Sequence, residues 1–246
     1  MAKRYTALPI IVDDSQTTAI RHPEWLAVFD NQTRAEHFGA RQSWFPKRYQ
    51  RQRGCAVVTA SLAMAYCARR PQHVSLYQPY LEADRVTGQI PADYRLERQN
   101  FIGQMQDLWR YISPPLWGVL LSRYTTAVER FVKDRGLVIG CEVHKLSFYR
   151  KRNRRNFKRL IHFIQASLKN DVPVAMLLYS KGQVTEVQDR HWISIVEIQC
   201  NNDFSQAEVT VSDHGRKKHF SLDKWFYTSR IGGACVGYKL EGLDRS

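Results

Sequence analysis

Apolar residues recur at helical spacing in four stretches of the first two thirds of the chain. Residues 55–68 (CAVVTASLAMAYCA) are apolar on nearly all sides, which predicts a helix buried in the protein rather than an amphipathic surface helix. Gly54 marks the start of this helix. Apolar residues three and four positions apart predict further helices near 99–112, 123–135 and 156–169.

Beyond Asp171 the pattern changes to short runs rich in Val and Ile, separated by Gly, Asn and Asp. Such runs predict the strands of an antiparallel meander. They cover Pro173–Tyr179, His191–Gln199, Ala207–Ser212 and Gly233–Leu240. Helices first and strands afterwards are typical of the α+β class.

A single domain is predicted, because no repeat, low-complexity tract or Gly/Ser-rich linker divides the 246 residues. Residues 1–48 are expected to form an irregular, strand-poor arm packed on the body. Residues 49–170 are expected to be the mainly helical half, and residues 171–246 the mainly β half.

Composition and charge narrow the classes of function. Hydrophobic residues make up 43% of the chain, as in folded globular proteins, and no apolar run approaches the roughly 20 residues needed to cross a bilayer. The N-terminus lacks the apolar segment of a secretory signal. Five widely spread cysteines, an odd number, indicate a reducing compartment, so we expect a cytoplasmic protein unless a specialised machine exports it. The sequence has no Cys-x-x-Cys pair, no His-Glu-x-x-His motif and no cluster of His and Cys, so we expect no metal site, and no cofactor is implied. The net charge of +14 favours encounters with anionic molecules.

Cys55 is the candidate nucleophile. A cysteine reacts as its thiolate, and a helix N-terminus favours that anion through its free N–H groups and its positive dipole end. Cys55 follows Gly54 directly, at the predicted start of the buried helix. The plainer interpretation is that Cys55 is one more small apolar residue of a core helix, as we expect for Cys67.

Two downstream residues complete the candidate site. His191 opens a predicted strand, which gives a general base a fixed direction. Asp213 ends the next strand, and if the two strands are neighbours, its carboxylate can accept a hydrogen bond from the imidazole. Taken singly, the two are also explained as a core histidine and as a turn residue before Gly215. Two rival bases flank the aspartate: His214, expected to point the opposite way because strand residues alternate sides, and His219, expected to be exposed.

Residues 54–66 (GCAVVTASLAMAY) resemble the nucleophile helix of papain-like cysteine peptidases, and among these the bacteriocin-leader (double-glycine) peptidases and their stand-alone bacterial relatives. The order of cysteine helix, histidine strand and aspartate strand is similar to theirs. The segment Phe220-Ser-Leu-Asp-Lys-Trp225 also resembles the short helix that often follows the aspartate. The resemblance implies a papain-like fold, with the nucleophile helix packed on an antiparallel sheet. It implies that Cys55 is the nucleophile, His191 the base and Asp213 the residue that orients the base.

Two positions depart from the family pattern. Ala56 stands where the family usually has a glycine directly after the cysteine. Tyr49 stands six residues before the cysteine, where the family has a glutamine whose amide helps to hold the oxyanion. Gln50, one residue later, is therefore the predicted oxyanion residue, and the backbone N–H of Cys55 would supply the second donor.

The sequence predicts an enzyme that transfers an acyl group from an amide, most simply a peptidase or isopeptidase acting on a peptide or protein substrate. The same set of residues also serves transglutaminases and amide-forming acyltransferases. The acceptor, water or an amine, is therefore left open.

A second hypothesis needs no catalysis. Residues 149–159 (YRKRNRRNFKR) are the densest run of charge in the chain, and a catalytically degenerate papain-like domain would bind nucleic acid or an acidic protein through them. Charge runs are also common in solvated loops. We call this the basic patch, and its residues are Arg150, Lys151, Arg152, Arg154, Arg155 and Lys158.

Overall fold

A computed structural model of the chain describes residues 15–87, 94–146 and 152–240. The helices in these ranges are α1 (Arg48–Arg53), α2 (Cys55–Cys67), α3 (Gln78–Thr87), α4 (Arg98–Ile112), α5 (Leu121–Lys133), α6 (Arg154–Lys169) and α7 (Leu222–Thr228). The strands are β1 (Ser15–Ala19), β2 (Ala27–Asp30), β3 (Ala35–Phe38), β4 (Leu96–Glu97), β5 (Ile139–Leu146), β6 (Val174–Leu178), β7 (His191–Asn201), β8 (Ala207–Asp213), β9 (Arg216–Ser221) and β10 (Gly233–Leu240).

The main sheet is antiparallel and has the strand order β5-β10-β6-β7-β8-β9. Strands β6 to β9 follow one another as the predicted meander. The last described strand, β10, instead lies between β5 and β6, on the side of β6 opposite to β7. The predicted α+β class, with a central helix packed on an antiparallel sheet, is confirmed in the described residues.

Helix α2 packs against β6, β7 and α4 and is buried almost all round, as its apolar sequence predicts. Every residue of β6 is buried, and helices α2 and α6 both pack against this strand. On β10, successive residues face different helices. Tyr238 forms a hydrogen bond with Tyr124 of α5, and the preceding Gly237 faces Ser167 of α6. A Cβ at Gly237 would lie 2.3 Å from the Ser167 hydroxyl oxygen, so glycine lets α6 approach the strand closely.

The prediction of a strand-poor arm is wrong. Strand β1 pairs with the far end of β7 in the main sheet, and β2 pairs with β3 and β4 in a second sheet. Strands β5 and β9 were also absent from the prediction. Strands β1, β5 and β9 are largely exposed, and β2, β3 and β4 have at most four residues, so none of them shows the long apolar alternation by which strands are recognised.

None of the helices within the described ranges combines the length and the apolar character that crossing a membrane requires.

Candidate active site

Two neighbouring strands bring His191 and Asp213 together at one end of the main sheet. Strands β7 and β8 pair with Ser194 opposite Ser212, which sets His191 diagonally across from Asp213 on the same face. The imidazole Nε2 lies 2.7 Å from the Asp213 Oδ1. Because both side chains are at least 94% buried, this contact is largely shielded from water.

The Asp213 carboxylate has a second partner, which the sequence interpretation missed. Strand β9 pairs with β8 and places the Lys218 ammonium 2.7 Å from the Asp213 Oδ2. Burial raises the pKa of Asp213, but the hydrogen bond and charge of His191 and the hydrogen bond from Lys218 outweigh it and lower the pKa to about 2. The carboxylate is therefore ionised at neutral pH, with both oxygens held.

The imidazole of His191 lies between this carboxylate and the thiol of Cys55. Burial lowers the pKa of His191, but the hydrogen bond to Asp213 and the hydrogen bond and charge of Cys55 outweigh it and raise the pKa to about 9. The ring is therefore in its charged form at neutral pH. An imidazolium next to a cysteine favours the nucleophilic thiolate.

Cys55 is the first residue of α2 and is partly exposed. It lines a small cleft with His191, Trp192 and Asp213, of about 20 Å³. That volume holds about one water molecule, so only a small reacting group fits beside the thiol. The described structure thus brings the three predicted residues around one cleft.

Packing fixes the start of α2. A Cβ added to Gly54 would lie 2.3 Å from the ring of Phe45 and 2.8 Å from the backbone oxygen of Gln50. The ring of Phe45 is in turn held edge-on by Trp109, with 5.3 Å between the ring centres. Only glycine fits before the cysteine, and the thiol is thereby held at the positive end of a buried helix.

The other cysteines differ from Cys55. Burial raises the pKa of the thiols of Cys67, Cys141 and Cys235 to about 12, and it also raises the pKa of Cys200. These four thiols are therefore protonated and poorly reactive at neutral pH. Cys55 is the cysteine that faces an imidazole across the cleft.

The expectation that His214 points away from the site is wrong. Its ring stacks on that of His191, with 4.9 Å between centres and 11° between planes, and its Nε2 lies 3.7 Å from the Asp213 Oδ1. His214 has a φ of +50° and belongs to the turn after β8, so the alternation of strand side chains no longer applies to it. Burial lowers the pKa of His214; the charge of Asp213 raises it, but burial together with the charge of His191 outweighs that effect. His219 is exposed, as predicted.

Two glutamines lie near the start of α2. Gln50, the predicted oxyanion residue, is buried on α1, and its Oε1 has no hydrogen-bond partner among the described residues. Gln42, which the sequence interpretation missed, lines the cleft. Its amide nitrogen donates to the backbone oxygen of Arg51 and so ties α1 to the wall of the cleft.

The ligand atoms of His191, Asp213 and His214 lie within 4.8 Å of one another, a spacing that a metal ion could bridge. Lys218 already places a positive charge 2.7 Å from the carboxylate. A second cation would be repelled there, so the chemistry of this donor set suits proton transfer better than metal binding.

The described part of the basic patch is largely engaged within the protein. Arg154 pairs with Asp203 at 2.7 Å, the Arg152 guanidinium donates to the backbone oxygen of Phe226, and Lys158 lies 4.7 Å from the ring centre of Phe204. Arg155 is exposed. The other two patch residues, Arg150 and Lys151, lie outside the described residues.

Comparison with known proteins finds no matching family model and no significant match among curated proteins. Among solved structures, UfSP from C. elegans aligns with a TM-score of 0.44 at 10% identity, over 91% of this chain and 34% of that chain. The Pseudomonas avirulence protein AvrPphB aligns with a TM-score of 0.33 at 12% identity, over 79% of this chain and 95% of that chain. This chain thus spans about a third of the length of the UfSP chain. Both TM-scores lie below 0.5, so what the site can do is judged from its own atoms.

Proposed function

We propose that the protein is a papain-like cysteine peptidase or isopeptidase. The observation that carries this proposal is the position of the His191 imidazole, 2.7 Å from a buried carboxylate on one side and facing the Cys55 thiol on the other. A nucleophile, a base and a group that orients the base are the components of cysteine-dependent acyl transfer.

In the proposed reaction the Cys55 thiolate attacks the carbonyl carbon of an amide and forms a tetrahedral oxyanion. The His191 imidazolium gives its proton to the amide nitrogen, the C–N bond breaks, and the amine leaves a thioester on Cys55. Neutral His191 then takes a proton from water, whose oxygen attacks the thioester carbon. The C–S bond breaks, the thiolate returns, and a carboxylic acid is released.

The ionised Asp213 stabilises the imidazolium that this cycle needs and holds its orientation. For the oxyanion we propose the backbone N–H of Cys55 together with Gln50. Loss of one such donor typically lowers the rate about 10²–10³-fold. A comparison of Gln50→Ala with Gln42→Ala tests this assignment: Gln50→Ala should lower kcat by this factor, whereas a larger loss in Gln42→Ala would transfer the role to the glutamine that lines the cleft.

The first experiment is labelling with iodoacetamide near pH 6, followed by mass spectrometry of the cysteine peptides. Cys55 should react far faster than the buried Cys67, Cys200 and Cys235 and than the partly exposed Cys141, whose thiol pKa is raised, and His191→Ala should abolish that excess. Equal and slow labelling of all five cysteines would refute the proposal.

The second experiment identifies the acceptor. A mixture of peptides and isopeptide-linked conjugates is incubated with the protein, with and without a primary amine, and the products are read by mass spectrometry. Cleavage that is absent in Cys55→Ala supports hydrolysis, whereas products that carry the amine would identify an acyltransferase.

A further inference from the structure

We propose that a group of cations on two segments beside the candidate cleft selects an acidic segment of the polypeptide substrate. This inference rests on the proposed function, since it names the substrate class of the same site. The cations lie on two segments that border the cleft, and we call them the cationic rim: Arg41, Arg51, Arg53, Arg216 and Lys217.

The first segment reaches the cleft from the side of α1. Arg41 stands between Ala40 and Gln42, which both line the cleft. The backbone of Arg51 is bound to Gln42, and Arg53 stands two residues before the nucleophile. Residues 39–54 contain no Asp or Glu.

The second segment reaches the cleft from β9. Arg216 and Lys217 follow the cleft residues Asp213 and His214 and are exposed. Residues 214–221 contain no Asp or Glu. The two segments meet, because Phe38 donates its N–H to the Gly215 carbonyl, and a Cβ at Gly215 would lie 2.6 Å from the Arg41 side chain.

The rim cations are not neutralised by the described part of the protein. None of the five has a carboxylate oxygen within 4.0 Å among the described residues. The Arg51 guanidinium donates to the backbone oxygen of Pro46, and the Lys217 ammonium lies 5.9 Å from the ring centre of Phe38, but neither contact cancels the charge. In the basic patch, by contrast, Arg154 is paired with Asp203. Arg41 also makes a small contribution to the lowered pKa of His214, after burial, which is the largest effect, and the charges of Asp213, His191 and Lys218.

Because the cleft is small, the surface around it is where most of a substrate would be bound. A volume of about 20 Å³ admits the reacting carbonyl but no large side chain, so the rest of a substrate must lie across the surface around it. The positive end of α2 adds to the same potential, because Arg53 stands next to a helix start whose N–H groups already favour anions. A chain with Asp or Glu beside its scissile amide fits this surface.

An acidic polypeptide fits the underlying chemistry better than a nucleic acid does. The thiolate of the proposed reaction needs an acyl carbon, which an amide bond supplies and a phosphodiester backbone does not. The rim also differs from a nucleic-acid platform, because its two segments adjoin a cleft that holds a single thiol, that of Cys55.

The test uses two affinity labels of equal length: iodoacetyl-Gly-Glu-Glu-Glu-Gly-amide and its counterpart with Gln in place of Glu. The second-order rate of Cys55 labelling is measured by intact mass spectrometry, and the Glu/Gln rate ratio cancels any change in the thiol itself. We expect a ratio of about 10 in dilute buffer, falling towards one near 1 M salt, where the screening length is about 3 Å.

The variant Arg216→Gln/Lys217→Gln should lower the ratio about threefold, and Arg41→Gln, on the other segment, should lower it independently. The matched control, Arg155→Gln/Lys158→Gln, removes the same charge from the basic patch and should leave the ratio unchanged. Arg216 and Lys217 are exposed on an edge strand, so their substitution leaves the core intact; circular dichroism checks this.

A ratio near one for the wild-type protein, with rapid labelling of Cys55 by iodoacetamide, would overturn this inference and leave the proposed function standing. Slow labelling by iodoacetamide itself would overturn both. Decaglutamate and dT10 are then compared as competitors of labelling. Stronger protection by decaglutamate supports the inference, whereas stronger protection by dT10 that is lost in Arg216→Gln/Lys217→Gln would make the rim a nucleic-acid surface and overturn it.

Discussion

Removal of the Cys55 thiol should change the titration of His191, and this tests the site without any knowledge of the substrate. The pKa of His191 is raised from 6.5 to about 9 despite a burial that lowers it, and the raising groups are Asp213 and Cys55. At 1.36 kcal/mol per pKa unit, the net effect corresponds to about 3 kcal/mol in favour of the imidazolium. In Cys55→Ala one of the two groups is lost while the burial remains.

We therefore expect Cys55→Ala to lower the His191 pKa by about 1 or more, a change of about 1.4 kcal/mol or more. Asp213→Asn should also lower it, because the neutral amide cannot stabilise the charged ring. The measurement is an NMR titration of the histidine ring Cε1–H signals, assigned by the loss of one signal in His191→Gln. Cys67→Ala serves as the control, since that thiol is fully buried on the same helix and its loss should leave the His191 titration unchanged.

A wild-type His191 pKa near 6.5 or below, or a pKa that is identical in Cys55→Ala, would refute the reasoning. Either result would mean that the thiol and the imidazole do not interact in solution, and the acyl-transfer proposal would lose the observation on which it rests.

Three further predictions concern stability and are read from urea unfolding. Lys218→Met should lower the free energy of unfolding by about 1–3 kcal/mol and raise the pKa of Asp213, because the carboxylate loses its ammonium partner. Lys218→Arg keeps the charge and should retain most of the stability. An equal loss of stability in both variants would contradict a role for the charge. Gly54→Ala should lower the free energy of unfolding by about 1–3 kcal/mol, because its Cβ clashes with Phe45, and it should also make the labelling of Cys55 slower. Gly103→Ala has open space around its Cβ and should leave the stability unchanged or raise it. The pKa of Asp213 is lowered from 3.8 to about 2, so its contribution to stability is present above pH 3.8 and is lost as the pH falls through about 2. The pKa of His191 is raised from 6.5 to about 9, so its contribution to stability is present below pH 6.5 and is lost as the pH rises through about 9. Asp213→Asn should abolish the acid-side loss and weaken the alkaline one; an unchanged pH profile in this variant would contradict the assignment.

Burial explains which parts of the fold could be predicted from the sequence. Helix α2 is buried almost all round and strand β6 entirely, so their apolar runs predict both their bounds and their place in the core. Strand β5 is mostly exposed at the edge of the sheet, and its sequence (IGCEVHKL) mixes charged and apolar residues. Its pairing with β10 depends on a crossing of the chain that local patterning does not encode.

In the candidate site, too, the residues on buried strands could be predicted from the sequence and a residue on an exposed strand could not. His191 and Asp213 could be placed together because each stands at the end of a buried strand, and the two strands follow one another in the chain. The role of Lys218 could not be predicted in this way, because Arg216–Ser221 is a basic, largely exposed strand whose sequence is typical of a loop. Its distance to the carboxylate depends on the register of β8 against β9.

The sequence nevertheless contains a feature that predicts the register of β8 against β9. Asp213 pairs with Arg216, which leaves His214 and Gly215 as a two-residue hairpin turn with φ of +50° and +72°. Positive φ at both positions belongs to the type I′ turn, whose twist matches that of paired strands and which favours glycine at its second position. This one turn aligns Lys218 with the Asp213 carboxylate and rotates His214 out of the strand alternation onto the His191 ring. The electrostatics of the candidate base thus depend on a hairpin turn of two residues, so a substitution of Gly215 should disturb the titration of His191 although Gly215 is not among the residues that line the cleft.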